Sequence, residues 1–115
     1  MSNTRFSSFD LLATPVAVLN AQGGVLAVNA ALEDALGQSR RSLEGHALAD
    51  HFVDPQPLLH ALQGVQANEF AALRYEAALR RQHHAESLPV HVVIAPSDRT
   101  GEVIVELLPV EQKDR

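Results

Sequence analysis

The spacing of apolar residues at the start of the chain predicts a short helix followed by a β-hairpin. Apolar side chains recur on one helical face within residues 1–14, namely Phe6, Phe9, Leu12 and Ala13. Pro15 disfavours the helical conformation at the residue before it, so the helix ends there. Two apolar runs at 15–20 and 25–29 then flank a glycine pair, as the strands of a hairpin do. Because both runs are apolar at odd and even positions, we expect strands covered on both faces.

The segment that follows the hairpin predicts short helices. Asn29 can cap the first of them, because its side-chain oxygen can accept a hydrogen bond from the free amide of Ala31 or Leu32. Gly37 supplies the C-terminal stop of this helix. Residues 39–52 predict two further helical turns, which a glycine separates.

The longest helix is predicted to have Asp54 as its N-cap and Pro55 as its first helical residue. Its core-facing stripe follows the i, i+3, i+4, i+7 spacing and consists of Leu58, Ala61, Leu62 and Val65. Beyond it the period changes to two, which predicts a strand within 70–81 and two more around 90–94 and 103–107. The order of elements favours an α+β fold, in which helices pack on one face of an antiparallel sheet.

Composition limits the classes of function. The 115 residues, 46% hydrophobic and 20% charged, suit one domain. The absence of cysteine excludes disulfides, thiolate metal sites, a cysteine nucleophile and flavin–cysteine photochemistry. The net charge of −5 offers no positive stripe for nucleic acid, and no apolar run is long enough to span a membrane. We therefore expect a cytoplasmic domain that binds neither nucleic acid nor membrane.

The sequence contains no catalytic motif of a hydrolase and no phosphate-binding glycine loop, so we predict no catalytic residues and no enzyme. His83, His84 and His91 could form a metal site, since neighbouring imidazoles bind zinc, copper or nickel. Adjacent residues on a loop rarely converge on one ion, however. We therefore expect a surface loop and no metal.

Four short strings of the sequence are PVAVLN at 15–20, GGVLAVNAA at 23–31, LG at 36–37 and LEG at 43–45. Together they give a strand, a tight turn, a second strand ending in Asn-x-Ala, and a helix ending in Leu-Gly. In this pattern the chain resembles the PAS domain family, the sensory and dimerisation modules of signalling proteins. Two more strings resemble the N-terminal domain of the NtrB family of nitrogen-regulation sensor histidine kinases, SRRSL at 39–43 and VIVELLPVE at 103–111.

The resemblance implies a PAS fold, a five-stranded antiparallel sheet with short helices on one face and an N-terminal helix on the other. It implies a capping and dimerisation helix over 1–14, the PAS domain over 15–111, and a tail over 112–115 towards a kinase region that this chain lacks. It further implies a non-catalytic regulatory domain that forms a homodimer and transmits its conformation to a kinase core in cis. Through that core the parent would act with a nitrogen response regulator and a PII signal protein.

Two kinds of site follow from this family. The first is a dimer interface on the N-terminal helix, with Phe6, Phe9, Leu11 and Leu12 as candidates. The second is a ligand-binding cup lined by Leu62, Leu73, Tyr75, Val92 and Val105. It belongs to the alternative function, a small-molecule sensor in another signalling protein. One phenol in that lining could orient a small apolar ligand. The dense packing of protein interiors favours a cup filled by its own side chains.

Some PAS domains hold haem through a histidine on their longest helix, where this chain has His60. On a helical wheel His60 falls about 200° from Leu58, on the side away from the apolar stripe. We therefore expect this histidine to face solvent. Neither haem nor flavin is the expected cofactor.

Overall fold

The computed structural model describes residues 13–67, 72–81, 85–99 and 101–110. Their elements are β1 (Val16–Leu19), β2 (Val25–Val28), α1 (Ala30–Leu36), α2 (Arg40–Leu43), a 3₁₀ turn (Leu48–His51), α3 (Gln56–Gln66), β3 (Leu73–Leu79), β4 (Leu88–Pro96) and β5 (Val103–Pro109). This order confirms the predicted α+β class, with two strands, several short helices and a final three-stranded meander.

All five strands belong to one antiparallel sheet in the order β2-β1-β5-β4-β3. The first and last strands of the chain lie side by side, with Ala17 opposite Val105. β5 therefore occupies the centre of the sheet, and β3 and β2 form its two edges. The predicted five-stranded antiparallel sheet is confirmed.

The core fills the space between the helices and one face of this sheet. Alternate residues of the three central strands point into it, because successive strand residues face opposite sides. They are Ala17, Leu19, Val90, Val92, Ile94, Val103, Val105 and Leu107. The helices contribute Leu32, Leu36, Leu43, Leu48, Phe52, Leu58, Ala61, Leu62 and Val65, all of them buried. This packing forms a continuous apolar layer, and its burial is the main source of stability for the domain.

The two hairpin strands differ in how well they match the prediction of strands covered on both faces. All four residues of β1 are buried, as predicted. In β2, however, Leu26 is 39% exposed. The register of β1 and β2 shifts between Val18 and Leu19, so β2 carries one extra residue at this point. Such a bulge leaves a residue unpaired and turned away from the ladder, which explains why Leu26 faces outward.

The hairpin turn is held by Asn20, whose side-chain oxygen accepts hydrogen bonds from the backbone N–H groups of Gln22 and Gly24, both at 2.9 Å. Gly23 has φ +89°, and a Cβ atom there would lie 3.0 Å from the Cδ1 atom of Leu62 in α3. Glycine is required for both reasons, since side chains disfavour this conformation and the space is occupied. The turn thus packs directly against α3.

Asn29 lies between β2 and α1 in the chain and is completely buried. Its Oδ1 atom accepts hydrogen bonds from the N–H groups of Leu32 and Val16, both at 3.0 Å. Its Nδ2 group donates to the carbonyl of Thr14 at 2.7 Å. Gly37 ends α1 in the left-handed conformation, with φ +70°. A single amide therefore caps the helix and fixes the entry of the first strand.

Three sequence predictions concern chain ends or boundaries. α3 begins at Gln56, one residue later than predicted, and Pro55 is its N-cap rather than its first helical residue. The Asp54 carboxylate still accepts a hydrogen bond from the Gln56 N–H group at 3.1 Å. The predicted helix over 1–14, except for its last two residues, and the tail over 112–115 lie outside the described residues.

Within the described ranges, no helix combines the length and apolarity needed to cross a membrane.

Candidate functional site

The candidate site is an open groove between α3 and the edge strand β3, which we call the α3–β3 groove. Its cavity volume is about 460 Å³. It is lined by Pro57, His60, Ala61, Gln63 and Gly64 from the helix and by Leu73 and Tyr75 from the strand. A cavity of this size suits a small organic molecule.

Small side chains on α3 and the attachment of β3 at only one of its ends create this groove among the described residues. The helix presents small residues to it, because Ala61 has only a methyl group and Gly64 has no side chain. The C-terminal end of β3 is tied to the preceding segment, since the Val53 N–H group donates to the Ala78 carbonyl at 2.9 Å and the Arg80 N–H group donates to the His51 carbonyl at 2.7 Å. Among the described residues, the beginning of β3 has no such attachment, and the groove lies between it and the helix.

Tyr75 contributes a phenol to the lining of the groove. It is the only tyrosine of the chain, and its ring packs against the core while its hydroxyl is buried without a hydrogen-bond partner among the described residues. Burial raises the pKa of Tyr75 to about 12. The phenol therefore stays neutral at ordinary pH, and its buried hydroxyl has a hydrogen bond to offer to an acceptor that reaches it from the groove.

Of the histidines considered as candidate ligands, the structure describes His60 and His91, which lie on different elements. His60 is exposed on α3 and contributes to the rim of the α3–β3 groove. His91 is exposed on β4, where its Nδ1 atom lies 3.8 Å from the Glu76 carboxylate. His83 and His84 lie outside the described residues. Across the described ranges, no three His, Cys, Asp or Glu residues come together as a metal site.

The five residues predicted to line a cup do not share one cavity. Val92 and Val105 are completely buried in the core. Leu62 faces a second open cavity of about 630 Å³ beside the hairpin turn. Of the five predicted residues, Leu73 and Tyr75 are the two that line the α3–β3 groove. The interior of the cup is thus filled by side chains, and the open space lies at its edge.

The sequence argument missed the helical half of this groove. The signal that could have found it is the spacing of Ala61 and Gly64, two small residues three positions apart on the face of α3 that meets the sheet. The residues predicted for the dimer interface, Phe6, Phe9, Leu11 and Leu12, lie outside the described part of the chain. That interface remains a prediction.

The described residues form a single antiparallel sheet that cups several short helices, with an open groove at one edge. The family model described as PAS fold matches residues 9–115, so this chain belongs to the PAS family. The predicted PAS fold is confirmed.

Solved structures share this fold at low sequence identity. A domain of the sensory box sensor histidine kinase/response regulator from Geobacter sulfurreducens has a TM-score of 0.77 at 18% identity, over 92% of this chain and 91% of that one. The PAS domain of nitrogen regulation protein NR(II) from Vibrio parahaemolyticus has a TM-score of 0.70 at 16% identity, over 95% and 100%. The PAS domain of a LuxR-family transcriptional regulator from Burkholderia thailandensis, solved in complex with ethanol, has a TM-score of 0.72 at 12% identity, over 96% and 98%. No curated protein matches the sequence.

Proposed function

We propose that this chain is the non-catalytic regulatory domain of a two-component sensor histidine kinase and that it acts on a kinase core in cis through the end of β5. The observation that carries this proposal is the anchoring of that strand end. The Leu107 N–H group donates to the Pro15 carbonyl at 2.9 Å, and the Val110 N–H group donates to the Pro89 carbonyl at 3.0 Å. The end of β5 is therefore bonded to the starts of both neighbouring strands, so a shift in either strand moves it.

The narrower assignment is to nitrogen regulation. It is supported by the strings at 39–43 and 103–111, which resemble the NtrB family, and by the fold shared with the PAS domain of a nitrogen regulation protein. In this proposal the parent kinase acts in the cytoplasm on a nitrogen response regulator under the control of a PII protein. The domain itself dimerises through Phe6, Phe9, Leu11 and Leu12 and needs no haem, flavin or metal.

A chimeric kinase tests this proposal. This domain would replace the PAS domain of a nitrogen-regulation sensor kinase, and phosphorylation of the response regulator would be measured with and without PII. Val110→Pro removes the N–H group that bonds to Pro89, whereas Val110→Ala keeps it and serves as the matched control. We expect normal regulation in the chimera and in the alanine variant, and altered regulation in the proline variant. A chimera that PII does not regulate would contradict the nitrogen assignment, and equal behaviour of the two variants would contradict the role of β5.

The second candidate function is a small-molecule sensor, and the unpartnered hydroxyl of Tyr75 in the α3–β3 groove favours it. An apolar ligand with one hydrogen-bond acceptor would fit, and the LuxR-family neighbour was solved with ethanol. Native mass spectrometry of the purified chain would reveal a retained molecule and the subunit count together. Retention by the unmodified chain and loss in Tyr75→Phe would support the sensor. Two ligand-free spectra, with no change in tyrosine fluorescence on titration with short alcohols, would reject it.

A further inference from the structure

In the part of the chain that the structure describes, no strand or loop pairs with the outer side of the first half of β3. Along an antiparallel edge strand, alternate residues direct both N–H and C=O either to the neighbouring strand or away from it. The Ala78 carbonyl and the Arg80 N–H group bond to the segment on the outer side of β3. Since the register with β4 is continuous, Arg74 and Glu76 direct their backbone groups the same way. Among the described residues, these outward groups have no hydrogen-bond partner.

The opposite edge of the sheet is covered where the hairpin turn leads into β2. The Val25 N–H group donates to the His46 carbonyl at 2.8 Å, and the Val25 carbonyl accepts from Gly45 at 2.9 Å. An uncovered edge is a template for another strand. β3 therefore offers a docking position for an extended segment at 74–76.

We propose that a second copy of this chain docks on this edge, with the two β3 strands antiparallel about a two-fold axis at Tyr75. The segment at 51–53 occupies the edge from Ala78 onward, so the pairing covers residues 73–77 of each copy. Four backbone hydrogen bonds would form, because Arg74 of each copy exchanges two with Glu76 of the other. The two sheets would become one sheet of ten strands.

The charges on the edge select this register and this occupant. In a hydrogen-bonded pair both residues must direct their backbone groups outward, which leaves three registers for a two-fold pairing. Arg74 opposite Arg74 places two arginines together, and Glu76 opposite Glu76 places two glutamates together. Only Arg74 opposite Glu76 forms attractive pairs, and it forms two of them. Both side chains can reach a partner, since Arg74 is exposed and the Glu76 side chain is 77% exposed, although the Glu76 carboxylate also lies 3.8 Å from the Nδ1 atom of His91. The edge is thus complementary to itself.

The inner face of the same strand supports this contact. Two Tyr75 residues would meet on the axis as a non-hydrogen-bonded pair, with Cβ atoms about 4.5–5.5 Å apart. Aromatic pairs across strands are stabilising. The second strand would also cover the open side of the α3–β3 groove and bring another phenol towards the unpartnered hydroxyl. This inference is independent of the proposed kinase function, because it rests on strand geometry and charge.

Charge reversal tests the interface without disturbing the core. Sedimentation equilibrium of the full chain over a range of concentrations would give the Kd of the edge-to-edge contact for the unmodified protein, Arg74→Glu, Glu76→Arg and the double variant. This contact is read as the monomer–dimer step, or as the further association of dimers if the N-terminal helix already pairs two chains. Each single reversal turns both attractive pairs into like-charge pairs, which should raise the Kd roughly 30-fold. The double variant restores both attractive pairs and should recover the original Kd. An equimolar mixture of the two single variants should form heterodimers for the same reason.

Hydrogen exchange locates the contact. The amides of Arg74 and Glu76 should gain protection as concentration rises, and they should lose this gain in either single variant. A monomeric chain at all concentrations would overturn the proposal. So would a dimer that neither single reversal weakens, although such a dimer would still agree with an interface on the N-terminal helix and with the proposed kinase function.

Discussion

Replacing Asn29 by alanine should destabilise this domain strongly, although the side chain is small and distant from the α3–β3 groove. The amide makes three hydrogen bonds, accepting from Val16 and Leu32 and donating to Thr14. It is completely buried, so no water can replace the missing partners without a rearrangement. The substitution removes the cap of α1 and releases the start of β1 at once.

The magnitude follows from these contacts. Three hydrogen bonds at about 1 kcal/mol each give a loss of about 3 kcal/mol, and the buried Val16 N–H group left without a partner adds about 1–2 kcal/mol. For 115 residues the unfolding entropy at the midpoint is about 0.24 kcal/mol/K. The expected loss of about 4–5 kcal/mol therefore lowers the Tm by about 17–21 °C. Such a loss is a large part of the stability of an ordinary domain.

Urea unfolding followed by circular dichroism would measure this loss, and Asn20→Ala is a matched control. Asn20 also accepts two backbone hydrogen bonds, but it lies in the hairpin turn and is partly exposed, so water can take over its role. The control should lose only about 1 kcal/mol. Equal losses in the two variants, or a loss below about 1.5 kcal/mol for Asn29→Ala, would refute the argument that burial makes this network costly to break.

The remaining predictions concern Tyr75 and two glycines with positive φ. Since Tyr75 is the only tyrosine, near-ultraviolet absorbance should show one ionisation with a pKa of about 12 rather than 10.0, and an ordinary value would mean that the hydroxyl is hydrated. Folding raises the pKa of Tyr75, so the domain keeps its full stability below pH 10, where the phenol is neutral in both the folded and the unfolded chain. Between pH 10 and 12 only the unfolded chain ionises, and the free energy of unfolding should fall by up to about 1.4 kcal/mol per pH unit. Tyr75→Phe should abolish this fall. Gly37→Ala should cost about 1–2 kcal/mol in thermal unfolding, because φ is +70° there, and an unchanged Tm would contradict the strain. Gly23→Val should cost more than Gly37→Ala, because it adds a clash with Leu62 to a strained φ of +89°.

The parts of the fold that local chemistry decides could be predicted from the sequence. The cap at Asn29 and the helix end at Gly37 depend on residues within one helical turn, and the structure places both as expected. The exposure of Leu26 depends on a bulge in the pairing with β1, which no local pattern contains. Residue alternation likewise gives the strands but not the order in which they pair.

The groove escaped prediction for a related reason. Alternation placed Leu73 and Tyr75 on the inner face correctly, but it placed Val92 and Val105 on that face as well, with nothing to separate them. The difference comes from position in the sheet. Residues on the central strands lie beneath the helices and are buried, whereas those at the start of the edge strand extend beyond α3. Strand order therefore decides which part of the cup stays open.

A filled cup with an open edge also bears on how a signal could travel in this domain. A ligand in the interior would have to displace side chains such as Val92 and Val105, which are completely buried, and dense cores resist such insertion. Binding at the edge needs no such displacement. Tyr75 is paired with Val92 on β4, and Val92 is paired in turn with Leu107 near the end of β5. Because one strand separates the groove from the proposed output, an event at β3 needs only a small shift of β4 to reach it.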